Sequence, residues 1–335
     1  MKKMTRRGFV GLTAAAGMSM MLAGCGSKEE GGEEKAPAAN TSGELRFVTG
    51  GESGTYYAFG SVIAQHATNN AGIKVTALVG NGSQANILEM EDGNAELAFC
   101  QSDVMAYAYQ GTNLFDGKPV ECFSTVGYLY DESVQIVTCN PEIKTVADLK
   151  GKNVSIGAAG SGVYFNAIDI LGAYDLKETD INPTYESFGD SANSLKDGKI
   201  DAAFIVAGAP TTAIVDLSTS KQAYLVALDD EHVEKLLKVS DYYVKTTIPA
   251  GTYKGIDTDV TTVSVGAVVL AADSVSEDDV YAFTADIFEN AASLTDSHAK
   301  YAEVSIEKGA AVTSVPYHPG AAKYFAEKNI TVNTK

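Results

Sequence analysis

The sequence has few basic side chains, and arginine is the rarest of them. Its 335 residues include 25 Lys and Arg against 43 Asp and Glu, which gives a formal net charge of −18. Only Arg6, Arg7 and Arg46 are arginines. Because an acidic chain is repelled by a phosphate backbone, this charge argues against nucleic acid as a partner and favours a soluble monomer.

Cysteine and histidine are also scarce, at four residues each, and tryptophan is absent. No C-x-x-C pair occurs, and the histidines lack a metal-site spacing such as H-x-x-x-H. Ser53, Ser83 and Ser161 stand in no G-x-S-x-G sequence, the motif of many hydrolases. The sequence therefore predicts no metal site, no cofactor and no catalytic activity.

Three cysteines fall in the predicted folded part, so at most one disulfide can form among them. Cys100, Cys122 and Cys139 each lie in or beside an apolar run. Such surroundings favour buried, free thiols. If a bridge exists, Cys122–Cys139 is the pair to test.

The first 24 residues predict an export signal. Basic residues precede an apolar run that is too short, and too rich in glycine and alanine, to span a membrane as a stable anchor. Residues 22–25, LAGC, resemble the bacterial lipobox, which predicts a lipid on Cys25. The pair Arg6-Arg7 resembles a twin-arginine signal, and a basic pair equally suits the general export route.

Residues 25–43 predict a flexible tether, because after Cys25 they contain no large apolar side chain to bury. The folded part then starts near Glu44 and lies outside the cytoplasmic membrane, anchored to it by the lipid. Loss of residues 1–24 removes four basic residues and no acidic one. The remaining chain has 21 basic and 43 acidic residues, a net charge of −22.

From Glu44 onwards, short apolar strands alternate with runs of helical spacing, which predicts an α/β fold with parallel strands. The order occurs twice. The predicted elements are strand 45–48, helix 56–68, strand 73–79, helix 83–91 and strand 96–100, then strand 153–157, a helix ending near 173, strand 183–188, helix 191–195 and strand 200–206.

Two short sequences also occur twice, in the same order and on the same kind of element. Residues 53–57, SGTYY, match residues 161–165, SGVYF. Residues 92–99, DGNAELAF, match residues 197–204, DGKIDAAF. Each match alone is weak, but the two in order predict two similar α/β lobes.

Two further apolar strands, 133–139 and 261–271, predict that the chain crosses into the second lobe and back. A helix at 278–294 and the C-terminal HPGAAKYFAEK then complete the first lobe. Two crossing strands form a hinge, with a cleft between the lobes. The predicted division is 44–135 and 262–335 for lobe one, and 136–261 for lobe two.

The glycine-rich turns at strand ends are the best candidates for a binding site, because ligands of open α/β sheets bind there. Residues 49–57, TGGESGTYY, and Gly160-Ser161-Gly162 offer free N–H groups and helix dipoles that favour an anion. Ser53 and Thr55 add donors, and Tyr56 or Tyr57 adds a wall and a hydroxyl. A simpler interpretation is that Ser53 and Ser161 only cap helices.

Other strand ends supply further candidates. Gly80-Asn81-Gly82-Ser83 ends one strand and opens a helix, and Gln101 ends the next. Asp103 is predicted to cap a helix. In the second lobe, Ala207 holds the position equivalent to Gln101, and Pro210 suits a first helical turn.

The shortage of arginine limits how an anion can be held. Carboxylates are often bound by a bidentate guanidinium. Arg46 is the only arginine after residue 24, and it stands at the start of a strand, away from the cleft. N–H groups, hydroxyls, amides or a lysine must therefore hold the ligand.

Six segments in order resemble the TAXI family of TRAP transporter solute receptors, and they cover nearly all of residues 44–330. They are TGGESGTYYAFG, GNGSQANILEMEDGNAELAFCQSD, DLKGKNVSIGAAGSGV, DGKIDAAFIVAGAPT, TTIPAGTY and HPGAAKYF. The resemblance implies the two-lobed class II periplasmic binding protein fold, whose interlobe cleft closes by a hinge. It also implies a small organic anion as ligand, such as glutamate or 2-oxoglutarate, and a sodium-coupled membrane permease as partner.

The resemblance further implies the residues of the cleft. They are Ser53, Gly54, Thr55, Tyr56, Asn81, Ser83, Gln101, Ser161, Gly162, Val163 and Ala207. A related receptor group that relies on a carboxylate-binding arginine is disfavoured by the arginine count. A receptor of an ABC transporter on the same fold is the nearest alternative, and an extracytoplasmic enzyme is a more remote one.

Overall fold

The computed structural model of the protein describes residues 43–335. The predicted export signal, Cys25 and all but the last residue of the predicted tether lie outside the described residues. Within 43–335, no helix has the length and apolar character needed to cross a membrane.

The first part of the chain forms parallel strands with helices between them. Phe59, Ile63 and Ala67 recur at the four-residue spacing of one helix face, and all three are fully buried, so the first helix packs on the sheet. The elements are β1 (Glu44–Val48), α1 (Thr55–Asn70), β2 (Lys74–Leu78), α2 (Ser83–Glu91), β3 (Leu97–Gln101) and α3 (Ser102–Gln110).

A long strand, β4 (Phe123–Thr138), leads into the second part of the chain. Its elements are β5 (Asn153–Ser155), α4 (Val163–Ala173), β6 (Asn182–Thr184), α5 (Phe188–Asp197), β7 (Ala202–Ala207), α6 (Thr212–Ser220), β8 (Tyr224–Val226), α7 (Asp230–Val239) and β9 (Val244–Ile248). The chain returns to the first part along a second long strand, β10 (Val260–Ala272). It ends with the helices α8 (Glu277–Glu289), α9 (Ile306–Gly309) and α10 (Pro319–Glu327).

One ten-stranded sheet joins both parts in the order β2-β1-β3-β10-β4-β7-β5-β6, with β8 beside β4 and β9 beside β10. β1 is parallel to β2 and β3, just as β5 is parallel to β6 and β7. β10 runs antiparallel to β3, and β4 runs antiparallel to β7. The internal repeat and the two crossing strands are therefore confirmed.

The apolar core divides along the two crossing strands. β4 contributes Tyr130 to one core and Val134 to the next, and β10 contributes Val265 to the second core and Ala267 to the first. A third cluster, which includes Ile205, packs between the second part of the sheet and α6. Two lobes thus share one sheet, and we call them the first and the second lobe.

Several sequence expectations are wrong in detail. The strand predicted at 183–188 is the shorter β6, and Phe188 begins α5 instead, because Ser187 caps that helix by accepting a hydrogen bond from the Asp190 N–H. β4 begins at Phe123, ten residues before the predicted crossover strand. α7, α9, β8 and β9 were not predicted.

Two predictions from residue type also fail. Pro210 does not open a helix, since it precedes Thr211, the N-cap of α6. All three cysteines of the described residues are free, but only Cys100 is buried, whereas Cys139 is half-buried and Cys122 is exposed. Cys122 lies just outside the apolar run of β4, so its neighbours in the sequence do not bury it.

Candidate functional site

A cavity of about 480 Å³ lies between the lobes, at the carboxyl ends of the parallel strands. Both lobes contribute turns to its wall, as the repeat predicts. Ten of the eleven predicted residues line it, namely Gly54, Thr55, Tyr56, Asn81, Ser83, Gln101, Ser161, Gly162, Val163 and Ala207.

Ser53 is the one predicted residue that the structure does not bring to the cavity. Its carbonyl accepts a hydrogen bond from the Ala213 N–H of the second lobe (3.2 Å). Ser53 therefore lies at the contact between the lobes. Thr55 lines the cavity, but its hydroxyl donates to the carbonyl of Gly208 (3.1 Å), so it too bridges the lobes.

Three helices begin at the cavity wall without a capping side chain. The N-caps of α1, α2 and α4 are Gly54, Gly82 and Gly162. The interpretation that Ser53 and Ser161 cap these helices is therefore wrong. Because the first N–H groups of a helix have no partner inside the helix, each of the three ends offers donors and a positive dipole end to an anion.

Asp103 does not cap a helix either. The N-cap of α3 is Gln101, and Asp103 lies in the first turn. Its Oδ2 accepts a hydrogen bond from Asn166 Nδ2 of the second lobe (2.9 Å). Gln101 Nε2 donates to Asn166 Oδ1 (2.6 Å), so one asparagine joins two residues of the first lobe.

Two serine hydroxyls of the wall have capacity left for a ligand. Ser83 Oγ accepts from the Gln101 N–H (3.0 Å), which leaves its own hydrogen free to be donated. Ser161 is 6% exposed, and its Oγ has no hydrogen-bond partner within residues 43–335. A buried hydroxyl without a partner is costly, which makes a ligand atom a suitable partner.

Little space is left for a side chain where the two lobes meet. A Cβ built on Gly162 would collide with the amide oxygen of Gln101 and would lie 2.9 Å from Ser83 Oγ. Gly82 has φ +104°, and a Cβ there would lie 3.2 Å from the Cα of Ser161. The Ala85 N–H donates to the Gly160 carbonyl (2.9 Å) beside these glycines, so the turns of the two lobes touch directly.

A buried carboxyl group, that of Glu132, forms part of the cavity wall. Glu132 lies on β4 between the two cores, and it is only 2% exposed. Tyr56 Oη donates to its Oε2 (2.5 Å), and the Tyr56 ring stacks on Phe99 with centroids 4.7 Å apart. The aromatic stack holds the phenol in place, and the phenol holds the carboxyl.

Burial dominates the electrostatics of this carboxyl. It raises the pKa of Glu132 from its ordinary 4.5 to about 8, whereas the bond from Tyr56 acts in the opposite direction. The neighbouring carboxylate of Asp103 adds to the rise, and Lys300 opposes it. The lining residues include no Lys, Arg or His, and no cluster that could hold a metal ion occurs among residues 43–335.

The match to a family of known proteins covers most of the chain. A model of the NMT1-like family matches residues 47–328. The chain belongs to the NMT1-like family. Its two lobes around a cavity give it the two-lobed periplasmic binding protein fold.

Solved structures similar to this NMT1-like protein have low sequence identity, so the similarity concerns the fold. A Bordetella bronchiseptica RB50 protein is 15% identical over 84% of this chain and 88% of its own, with a TM-score of 0.53. The alkanesulfonate-binding protein SsuA from Xanthomonas axonopodis pv. citri, bound to MOPS, is 17% identical over 84% of this chain and 83% of its own, with a TM-score of 0.47. The GluR0 ligand-binding core from Nostoc punctiforme, in complex with L-glutamate, is 12% identical over 77% of this chain and 97% of its own, with a TM-score of 0.46.

Sequence reasoning missed several wall residues of this NMT1-like protein. Glu132 went unnoticed because the first half of β4 was not predicted as strand. Ser187 and Phe188 were assigned to a strand, although they form the start of α5 at the cavity. Ser187 is followed three residues later by Asp190, which is the spacing of a helix N-cap and its third residue. This signal could have identified the start of α5.

Proposed function

We propose that this protein is the extracytoplasmic solute receptor of a TRAP transporter. It binds a small organic anion of the glutamate or 2-oxoglutarate type between its lobes and delivers it to a membrane permease. The observation that carries the proposal is the convergence of ten residues, chosen from the sequence, on one cavity between the lobes. A lipid on Cys25 would hold the receptor at the membrane, as the lipobox-like sequence indicates.

The chemistry of the wall supports an anion as ligand. Three helices without a capping side chain begin at one cavity wall, and the hydroxyls of Ser83 and Ser161 are available. Asn81 adds an amide, and Gln101, whose Nε2 donates to Asn166, completes this part of the wall. Gly54 and Gly162 let the backbone approach the ligand in place of the missing arginine, and Val163 and Ala207 add apolar surface to the wall.

Closure of the lobes supplies the mechanism. Asn166 bonds to the first lobe, Thr55 to Gly208, and Ala85 to Gly160, so the closed arrangement has its own contacts across the cleft. A ligand that touches both lobes stabilises this state by its difference in affinity between the closed and open forms. The permease then recognises the closed form.

A receptor of an ABC transporter is the second candidate, because the family and the fold suit both kinds of partner. Reconstitution of the permease encoded near the gene, together with this receptor, separates the two. Uptake driven by a sodium gradient without ATP supports the TRAP receptor. Uptake that requires ATP on the opposite side assigns the protein to an ABC transporter.

Ligand binding itself is tested by thermal unfolding in the presence of organic acids, amino acids and sugars, after unfolding and refolding to remove any co-purified ligand. A ligand at about 100 times its dissociation constant stabilises the protein by roughly 2.7 kcal/mol, a shift of several degrees. Ser161→Trp should abolish the shift in unfolding temperature. Ser161 is a buried residue of the cavity wall, so the larger side chain would occupy the space of the ligand. Ser297→Trp, at an exposed position, is the control.

Normal affinity of the Ser161→Trp variant would place the site elsewhere. A shift with sugars alone would reject the organic anion as ligand class.

A further inference from the structure

In the described part of the chain, no cation is paired with the Glu132 side chain. No ion pair of residues 43–335 involves this side chain, although it is only 2% exposed. The cation that acts on it, Lys300, is already bonded to Glu303 Oε1 (2.5 Å). A carboxyl that is buried without a counter-charge takes up a proton, because the ionised form would lose its hydration without compensation.

The hydrogen bonds show which oxygen carries that proton. Tyr56 Oη has a single hydrogen-bond partner within residues 43–335, Glu132 Oε2. The phenol proton must therefore be donated to Oε2, since it would otherwise be buried without an acceptor. The carboxyl proton then resides on Oε1, which has no protein partner in the described part of the chain and belongs to a residue of the cavity wall.

We propose that Glu132 is a specificity-determining residue that binds the ligand as a neutral carboxylic acid, with Oε1 donating its proton to a ligand oxygen. This inference rests on the proposed function and names the ligand more closely. The group placed against Glu132 is an oxo or carboxylate oxygen. An ammonium group is excluded from that position, because it would need the ionised carboxylate.

The proposed donor replaces the guanidinium that the wall lacks. A neutral acid binds an anion without a charge of its own, and the three helix N-termini supply the positive potential. Burial supports the neutral form, since it raises the pKa of Glu132 to about 8. The titratable and charged groups that act with it, from all the elements around it, are Tyr56, Cys100, Asp103, Tyr128, Tyr130 and Lys300.

The arrangement gives a pH dependence with a definite sign. Affinity for an anion is constant while the free receptor is protonated, and it falls about tenfold per pH unit above the pKa of Glu132. A ligand held through an ammonium group would show the reverse, with affinity rising up to that pKa. The sign of the slope therefore tells which group of the ligand faces Glu132.

The first test measures binding of 2-oxoglutarate and L-glutamate by calorimetry from pH 6 to pH 9.5. We expect 2-oxoglutarate to bind more tightly, with a plateau below about pH 8 and a fall above it. Glu132→Gln keeps a donor and should lose the pH dependence, with affinity reduced about threefold to tenfold. Glu132→Leu should lose about tenfold to a hundredfold, and exposed Glu121→Gln should match the wild type.

Affinity that rises from pH 6 to pH 8, with a larger loss in Glu132→Gln than in Glu132→Leu, would overturn the proposal. A second test needs no ligand. Infrared spectroscopy at pH 7 should show the carbonyl stretch of a protonated carboxyl that disappears in Glu132→Gln. If that band is absent, this inference fails whether or not an anion binds. If the band is present and no organic anion binds, the proposed function fails instead.

Discussion

Two buried carboxyl groups lie close to the cavity, and they differ in how many partners they have. Glu132 is 2% exposed and accepts one hydrogen bond, from Tyr56. Asp103 is 1% exposed and accepts a bond from Asn166 across the cleft, with Gln101 Nε2 3.5 Å from its other oxygen. Within residues 43–335, one oxygen of Glu132 therefore has no hydrogen-bond partner, whereas each oxygen of Asp103 has one, so we call Asp103 the saturated carboxyl.

The electrostatics follow the same division. Burial raises the pKa of both groups, to about 8 for Glu132 and to about 6 for Asp103. Asp103 rises less because the Val104 N–H and Asn166 bond to its ionised form. The comparison shows that the carboxyl whose two oxygens both have partners joins the lobes, whereas the other carboxyl, Glu132, has the oxygen that we propose for the ligand.

Glu132→Gln should give the largest change, in the pH dependence of stability. The folded pKa of Glu132 lies above its unfolded value, so its contribution to stability is complete below about pH 4.5 and is lost as pH rises to about 8. The wild type therefore loses about 1.4 kcal/mol per pH unit in this window, about 5 kcal/mol in all, relative to the variant. Urea unfolding of both proteins at several pH values measures this difference.

Asp103→Asn sharpens the comparison in the same experiment. The folded pKa of Asp103 is about 6. The difference in unfolding free energy between the wild type and Asp103→Asn that is due to this titration should therefore stop growing near that pH. A Glu132→Gln difference that also stopped near pH 6 would show that Glu132 is ionised at neutral pH, contrary to the neutral acid.

Gly162→Ala should give the next largest effect, because it separates the lobes without touching either carboxyl. Its Cβ would collide with the Gln101 side chain, which bonds to Asn166 beside Asp103. We expect a loss of ligand affinity of about a hundredfold, roughly 2.7 kcal/mol, since the closed state is blocked. Gly172→Ala, where a Cβ meets nothing within 4 Å, is the matched control and should bind normally. Equal affinity of the two variants, measured by calorimetry, would argue against closure on the ligand.

The repeat made most of the fold predictable from the sequence. Helix α2 begins and ends where its pattern places it, and the turns at Gly54 and Gly162 were found as a pair because their neighbours SGTYY and SGVYF match. Strands that alternate with helices need only local apolar spacing to be recognised. The carboxyl ends of parallel strands then indicate the cavity without any knowledge of the side chains in it.

The contacts across the cleft were beyond the reach of sequence patterns. Asp103 was predicted to cap a helix, whereas its partner Asn166 lies 63 residues further along the chain. Glu132 follows Asp131 in a sequence that reads as polar, but β4 carries it between two cores. Burial of a polar residue in a crossing strand depends on both lobes at once, which no local spacing records.

Asn166→Ala should have an intermediate effect, on the hydrogen-bond network around Asp103. It removes the donor to Asp103 and the acceptor of Gln101. The buried carboxyl of Asp103 then lacks a hydrogen bond that it has in the wild type. We expect unfolding to become easier by about 1–3 kcal/mol and the pKa of Asp103 to rise. Exposed Asn94→Ala is the control. An unchanged unfolding free energy would show that the network does not stabilise the closed protein.

Tyr56→Phe should have the smallest effect, confined to the carboxyl with the free oxygen. Loss of the hydroxyl removes one hydrogen bond, worth about 1 kcal/mol, while the stack on Phe99 remains. Because that bond lowers the pKa of Glu132, its removal should raise this pKa and move the fall of anion affinity to higher pH. Tyr57→Phe, on the same helix and half-buried, should leave the pH profile unchanged. A profile that moved to lower pH in Tyr56→Phe would mean that the phenol stabilises the protonated acid, and the proton would then lie on Oε2 and be unable to reach a ligand.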